Sequence, residues 1–442
     1  MSLNTLCSRI MLYTGLESVL YQILLCAHQI CLFRTIDTSL YGQIGALFSC
    51  IFLLALYSNA GLDGSLASLY SLTLKSKRNF RRILGKQIII SCITIPAILA
   101  IIYLIIPKSI LPVSLHNFKN MPIVTITMLL ICIESIKKTI RTLLHLMLLQ
   151  KVVAFVEIAT LCGYIATVWG YLLSGKAVSI ETFFLPMLFS SGTAFIIYGV
   201  FLFRSYKKIS DIELSDTYVA TIPSWQTIVS MRLKNWLYQI AHSLYSSNFL
   251  VISIAQLYGF ELAALLKIIS FCTYSINYIV QHIFGIACNV LFAHAKGRGA
   301  EEMQHIFTTV RSRLYYTLIL CPFIILGYQG YAYIYHPHLC FEHAHIISLF
   351  MLLLLSENIS VAHEQYYIVH DRTGLLIACN LGLLFPSLIL HYNICANSPT
   401  ILLYMLLAVR ASCFILLMYA DRFLHFLNLL LFKKYKLLFA QK

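Results

Sequence analysis

The chain has 442 residues, 60% of them hydrophobic and 11% charged, with a formal net charge of +15. Soluble domains carry about 25% charged residues, so this chain has too few to cover a water-facing surface, and a soluble globular protein is excluded. With the bilayer as solvent, only helices or a closed barrel satisfy the backbone. The apolar stretches run to about 20 residues without alternation and therefore read as helices.

Residues 1–33 lack a small-residue cleavage site and read as a first span rather than a removed signal. Twelve spans follow in order at 10–33, 41–71, 84–106, 122–149, 152–174, 182–203, 226–254, 259–291, 314–335, 345–369, 374–393 and 400–420. With the N-terminus inside, the outer loops receive only Arg34, Lys108, Lys119 and Lys176. Twenty-one of the 32 Lys and Arg residues fall in the inner loops and tails. The positive-inside rule then puts both termini in the cytoplasm. The basic charge faces anionic head groups, and nucleic acid need not be invoked. The polar stretch 204–225, basic at Arg204, Lys207 and Lys208 and acidic at Asp211, Glu213 and Asp216, reads as a linker. It separates an N-terminal lobe (1–203, helices 1–6) from a C-terminal lobe (226–421, helices 7–12), with a basic-apolar tail at 422–442. The fold class is an all-α polytopic membrane protein of about twelve helices. Its two pseudo-symmetric six-helix lobes surround a central cavity.

An internal repeat supports the two lobes. Leu40-Tyr41-Gly42 returns as Leu257-Tyr258-Gly259, with Ala46 and Ala263 at the same offset, and each copy opens a long apolar segment. Repeats of this kind mark transporter folds, whose site lies between related halves. The fourteen cysteines are scattered through apolar segments without a CxxC pair and read as small packing residues.

The charges inside the spans are the candidate site, because each needs a partner or an aqueous cavity. On the fourth span Glu134, Lys137, Lys138, Arg141 and His145 step by three or four residues along one helix face. One reading is an internal network with Glu134 neutralising Lys138 at i,i+4. The other is an anionic cargo, since one carboxylate cannot neutralise three cations and a diphosphate suits Arg. The seventh span aligns Asn235, Gln239, His242 and Ser246, and the eighth Lys267, Ser270, Tyr274, Asn277 and Gln281. These stripes either join helices or line a wet cavity, where Tyr238, Tyr245 and Tyr274 stack on sugars. Arg232 and Lys234 lie near the inner end, where snorkelling serves them. Arg410 sits at mid-span in the last helix and packs against a buried carboxylate or meets the cargo. Seven acids are also expected to be buried: Glu17, Asp63, Glu134, Glu157, Glu261, Glu357 and Glu364. They either pair with the cations or carry H⁺ or Na⁺, with Glu17, Asp63, Glu134, Glu357 and Glu364 the candidates for ion coupling. Asp63, between Gly61-Leu62 and Gly64, marks an expected helix break.

The segment Phe33-Arg34-Thr35-Ile36-Asp37-Thr38-Ser39-Leu40-Tyr41-Gly42, continuing to Asn59-Ala60-Gly61-Leu62-Asp63, resembles the first two helices of O-antigen (Wzx-type) polysaccharide flippases of the MOP exporter superfamily. Leu257–Ala264 and the run to Phe292-Ala293-His294-Ala295-Lys296 resemble their eighth helix, although Cys288-Asn289 stands where the family often has Pro. The resemblance implies an inner-membrane flippase that rocks between inward- and outward-open states, with a polyprenyl-diphosphate-linked oligosaccharide as cargo. Other polysaccharide-assembly membrane proteins are then possible partners. Lys137, Lys138, Arg141, Arg232, Lys267 and Arg410 would meet the diphosphate, and Gln239, His242, Tyr274, Asn277 and Gln281 the sugars. No cofactor is expected beyond coupling H⁺ or Na⁺.

Other classes fit less well. The outer run His336–His345 carries metal-type ligands at a spacing matching no metal motif, and His363-Glu364 lacks the second His of HExxH because Tyr367 stands there. No Walker A sequence is present, and the outer loop 107–121 has no carboxylate for a membrane glycosyltransferase or polymerase. A MATE-like cation–drug antiporter requires an acidic cavity, and a lipid II flippase often carries further helices.

Overall fold

The computed structural model describes residues 3–73, 79–97 with gaps, 121–208 apart from 176–177, 223–280 apart from 245, 287–318 apart from 297–299, and helical fragments within 345–419. Every regular element among them is helical. The elements are α1 (Leu3–Thr35), α2 (Thr38–Ser58), α3 (Leu62–Thr73), α4 (Met121–Leu146), α5 (Gln150–Leu173) and α6 (Glu181–Lys208), followed by α7 (Trp225–Ser243), α8 (Ser247–Tyr258), α9 (Phe260–Val280), α10 (Ala287–Lys296) and α11 (Ala300–Leu318). Residues 81–91 are also helical. Four helices, Leu12–Thr35, Thr38–Ser58, Gln150–Leu173 and Glu181–Lys207, are long and apolar enough to cross a membrane. At 1.5 Å per residue each is close to, or longer than, the roughly 30 Å hydrocarbon layer. Large apolar side chains such as Phe155, Phe189 and Ile196 stand exposed on their outer faces, as a lipid solvent allows.

Two expected spans are interrupted. The second divides into α2 and α3 at Asn59–Gly61, where Ala60 (φ 49°) and Gly61 (φ 71°) enter the left-handed region and stop the helix. Asn59 restarts it, since its side-chain oxygen accepts the Leu62 N–H at 3.0 Å. The seventh divides into α7 and α8, and Ser246 caps the second piece by accepting the Phe249 N–H at 3.4 Å. In the eighth, α9 and α10 are described, and residues 281–286 between them lie outside the described residues. In addition, α6 runs on to Lys208, so the expected linker begins as helix. Residues 209–222, the loop 107–121 up to residue 120, most of the His336–His345 run and the tail 422–442 lie outside the described residues.

The sequence repeat occupies two different local structures. Asp37 caps α2 by accepting the Leu40 N–H at 3.0 Å, which puts Leu40-Tyr41-Gly42 inside the first turns of a helix. Leu257 and Tyr258 instead close α8, and Gly259 (φ 96°) turns the chain into α9. The equivalence therefore slips by a few residues, because the caps rather than the repeated letters set the helix ends. The copies nonetheless meet: a Cβ on Gly42 would collide with the Phe260 carbonyl, and one on Gly45 would lie 3.0 Å from the Lys267 side chain. Ala46 and Ala263 are both buried in the main core, with Tyr41, Ile51, Leu250, Ile254 and Leu266.

Small residues thus let α2 and α9 approach closely. Gly42→Ala is expected to lower the melting temperature of the detergent-purified protein, as overpacking by about 1–3 kcal/mol does. Gly163→Ala, which meets open space, leaves it unchanged.

Candidate functional site

The α4 stripe faces the interior of the first half of the chain. Lys137 Nζ donates to Glu134 Oε1 at 2.7 Å, and Glu134 also accepts a short hydrogen bond from the Ser191 hydroxyl of α6. One turn on, Arg141 reaches Glu17 of α1 at 3.2 Å and Glu157 of α5 at 3.6 Å. Tyr198 of α6 donates to Glu157 at 2.8 Å. His145, buried a further turn along, lies within electrostatic reach of Glu17. Lys138 pairs with Asp63 of α3 at 3.3 Å, and Thr142 donates to the other Asp63 oxygen at 3.3 Å. The cluster therefore draws α1, α3, α5 and α6 onto α4. Within it two buried carboxylates, Glu17 and Glu157, share one guanidinium. Lys137 also lies within electrostatic reach of Glu157, so the acids and cations of the cluster form one connected group.

A second cluster lies in the second half. Glu364 accepts from Tyr238 Oη at 2.7 Å and from Arg410 at 3.3 Å, and it stands 3.5 Å from His242 Nε2. Tyr238 and His242 sit one turn apart on α7, which is why both reach the same carboxylate.

Two further cations join the halves. Arg232, 2% exposed, donates to Asn59 O (3.0 Å), Ala60 O (3.1 Å), Gln87 O (3.0 Å), Gln87 Oε1 (3.4 Å) and Ser91 Oγ (3.3 Å). Lys267 donates to Ser49 Oγ at 2.8 Å and to Asn248 Oδ1 at 3.3 Å.

These contacts alter several expectations. Glu134 pairs with Lys137 at i,i+3 rather than with Lys138. The surplus of cations read on the fourth span is absent, because acids from α1, α3 and α5 supply the missing partners. Arg232 is buried and fully engaged, so it does not snorkel. Tyr238 is buried against Glu364, not presented as a stacking platform. Glu261 is exposed. The bland reading of Arg410, packing on a buried carboxylate, is the observed one. Gln239 is half-buried on α7. Tyr274 and Asn277 fall on α9, but their side chains, with Gln281 and Glu357, lie outside the described residues. Ser191 and Tyr198 complete the first cluster and carry no sequence signal beyond a lone polar group on an apolar span. No group of three or more metal-type ligands occurs among the described residues.

No protein-family model matches the chain, and no curated protein matches it in sequence. Solved structures match it closely in fold. A multidrug resistance MATE family transporter of the MOP superfamily, in an outward-facing conformation, superposes with TM-score 0.67 at 13% identity, covering 95% of this chain and 94% of its own. A eukaryotic MATE transporter gives 0.64 at 13% identity over 94% and 95%. A MOP superfamily transporter from Pyrococcus furiosus, described as having a binding pocket of reverse polarity that suggests a different function, gives 0.65 at 14% identity over 95% and 94%. The chain has the fold of these transporters.

Removing one member of a buried pair strands a charge, at about 3–5 kcal/mol. Arg141→Leu is therefore expected to cost most of the folded protein, with Glu17→Gln in the same chain restoring part of it. Lys138→Leu, whose side chain is 44% exposed, is expected to cost no more than about 1 kcal/mol. Thermal melts of the four purified proteins check the order.

Proposed function

We propose that this chain, built on the fold shared by MOP superfamily transporters, is a cation-coupled carrier that moves its cargo by alternating access. The single observation behind this reading is the pair of buried carboxylates, Glu17 and Glu157, that converge on the guanidinium of Arg141. The dry surroundings make such a group costly to leave charged, so it takes up and gives back a proton or Na⁺ as its access to water alternates. Glu17 and Glu157 are the coupling carboxylates, with His145 and Tyr198 as neighbours that share the charge. The charge bias of the loops supports a cytoplasmic-membrane location with both termini inside.

An organic cation, exchanged as in a MATE-like antiporter, is the cargo that the geometry supports best. The α4 cations expected to grip a diphosphate are each neutralised inside the first half of the chain. The acids that neutralise them make an anion there unwelcome.

A second reading keeps the lipid-linked oligosaccharide as cargo. It draws on the flippase-like segments around Leu40-Tyr41-Gly42 and Leu257-Tyr258-Gly259. It also draws on Lys267, whose ammonium rests on the neutral oxygens of Ser49 and Asn248. A phosphate oxygen competes well for such a donor.

Proteoliposomes with an imposed pH or Na⁺ gradient and a fluorescent organic cation test the first reading. The native chain is expected to accumulate the dye, and Glu17→Gln to lose at least about tenfold of the gradient-driven rate while keeping its yield. Undiminished transport by Glu17→Gln overturns the coupling assignment. Loss of surface glycan on Lys267→Ala in cells, with no dye transport by the native chain, moves the cargo to the second reading.

A further inference from the structure

The ion pairs within the halves and the hydrogen bonds that cross between them differ in kind. The ion pairs Lys137–Glu134, Lys138–Asp63, Arg141–Glu17, Arg141–Glu157, His242–Glu364 and Arg410–Glu364 each lie within one half of the chain. The hydrogen bonds described between the halves all end on neutral oxygens. Tyr57 and Ser243 share a hydroxyl bond of 2.7 Å, Trp236 Nε1 donates to Tyr57 O at 2.9 Å, and Ser68 Oγ donates to Ile368 O at 2.8 Å. Arg232 makes the densest of these contacts, with five hydrogen bonds onto Asn59, Ala60, Gln87 and Ser91.

The site that Arg232 occupies exists because α2 stops. α2 ends at Ser58, and the break at Asn59–Gly61 turns the Asn59 and Ala60 carbonyls towards α7, Asn59 O also accepting the Leu62 N–H at 3.2 Å. The backbones then meet closely. A Cβ on Gly61 would collide with the Arg232 carbonyl, and one on Gly64 would lie 2.8 Å from the Asn235 side chain. The bond count is high, but none of the five bonds is to a charged group, although Asp63 lies within electrostatic reach of Arg232. Arg232 rehydrates, and the carbonyls it leaves are neutral groups that water satisfies. Parting an ion pair of the kind found inside each half would strand two charges in a dry interior.

We propose that Arg232 is a releasable latch that closes the molecule on the α3 side, and that the transport cycle requires it to leave the Asn59–Gly61 break. Because the residue after the break's Leu62 is Asp63, the partner of Lys138, the latch adjoins the first-half charge cluster. The inference rests on the alternating-access reading, but its test does not read transport.

Ser68→Cys serves as the reporter, since Ser68 is buried against Ile368 of the other half. Val153→Cys, buried within the first half alone, is the control. Each is introduced into the full-length protein, purified in detergent, and labelled with a membrane-impermeant maleimide. Site-specific labelling is read by peptide mass spectrometry, because the chain has 14 native cysteines. Arg232→Ala is expected to raise the Ser68→Cys rate about tenfold, as losing charge-assisted hydrogen bonds does, and to leave Val153→Cys protected. Arg232→Lys, which keeps the charge but not the planar fork, is expected to give a smaller rise of about threefold. It carries the test if Arg232→Ala does not accumulate. Unchanged Ser68→Cys labelling in the variants overturns the latch. So does a parallel rise at Val153→Cys, which reports general loosening. A latch that fails this test leaves the Glu17–Glu157 coupling site standing, and a failed transport assay leaves the labelling result intact.

Discussion

A charge inside a bilayer must be met within reach of its own side chain, because no water is at hand to do it. That constraint organises the first half of the chain. Arg141 projects from α4 between Glu17 of α1 and Glu157 of α5, and Lys137 and Lys138 on the same face take Glu134 and Asp63. Helices of apolar surface have little reason to choose one neighbour over another in lipid, where burial gives no hydrophobic gain. Carboxylates contributed by three other helices supply that reason here, while Tyr198 of α6 donates to one of them, Glu157, and Ser191 of α6 to Glu134 of α4 itself. The packing of five helices thus follows from the need to neutralise one stripe on α4.

The two kinds of polar contact suit two kinds of work. Charge paired with charge holds the helices of one half in place, because either partner alone is expensive to bury. Charge or hydroxyl paired with carbonyl or hydroxyl joins the halves, and such contacts exchange for water at modest cost. Arg232 and Lys267 both belong to the second kind, although one caps a broken helix and the other reaches along α2 over Gly45. The result is an asymmetry: stiff within each half and separable between them.

Much of this was legible from residues alone. The helical class followed from the scarcity of charge, and the break near Asp63 from Gly61-Leu62-Asp63-Gly64. The gathering of Glu134, Lys137, Lys138, Arg141 and His145 on one face followed from their spacing. The partners were not legible, because they arrive from helices far away in sequence: Glu17 lies 124 positions before Arg141. A one-dimensional count of charges on α4 therefore suggested an anion site where the folded chain has acids. The repeat misled in a smaller way, since Asp37 and Gly259 place their helix ends on opposite sides of the matching tripeptides. Arg232 was read as a group near water because its distance from the helix end suggested it, whereas its fork fits the carbonyls of a break in another span.

The contact of Gly42 with Phe260 sets the scale of any motion between the halves. Backbone touches backbone there, so neither side can be pressed closer, and rotation is easier than translation. Such a point acts as a fulcrum. Between Gly42 and the end of α2 the helix rises by roughly 25 Å. A tilt of only about 10° about the fulcrum therefore swings that far end through roughly 4 Å. That swing exceeds the length of a hydrogen bond, so a small rocking of α2 against α9 is enough to carry the Asn59 and Ala60 carbonyls out of a guanidinium's reach.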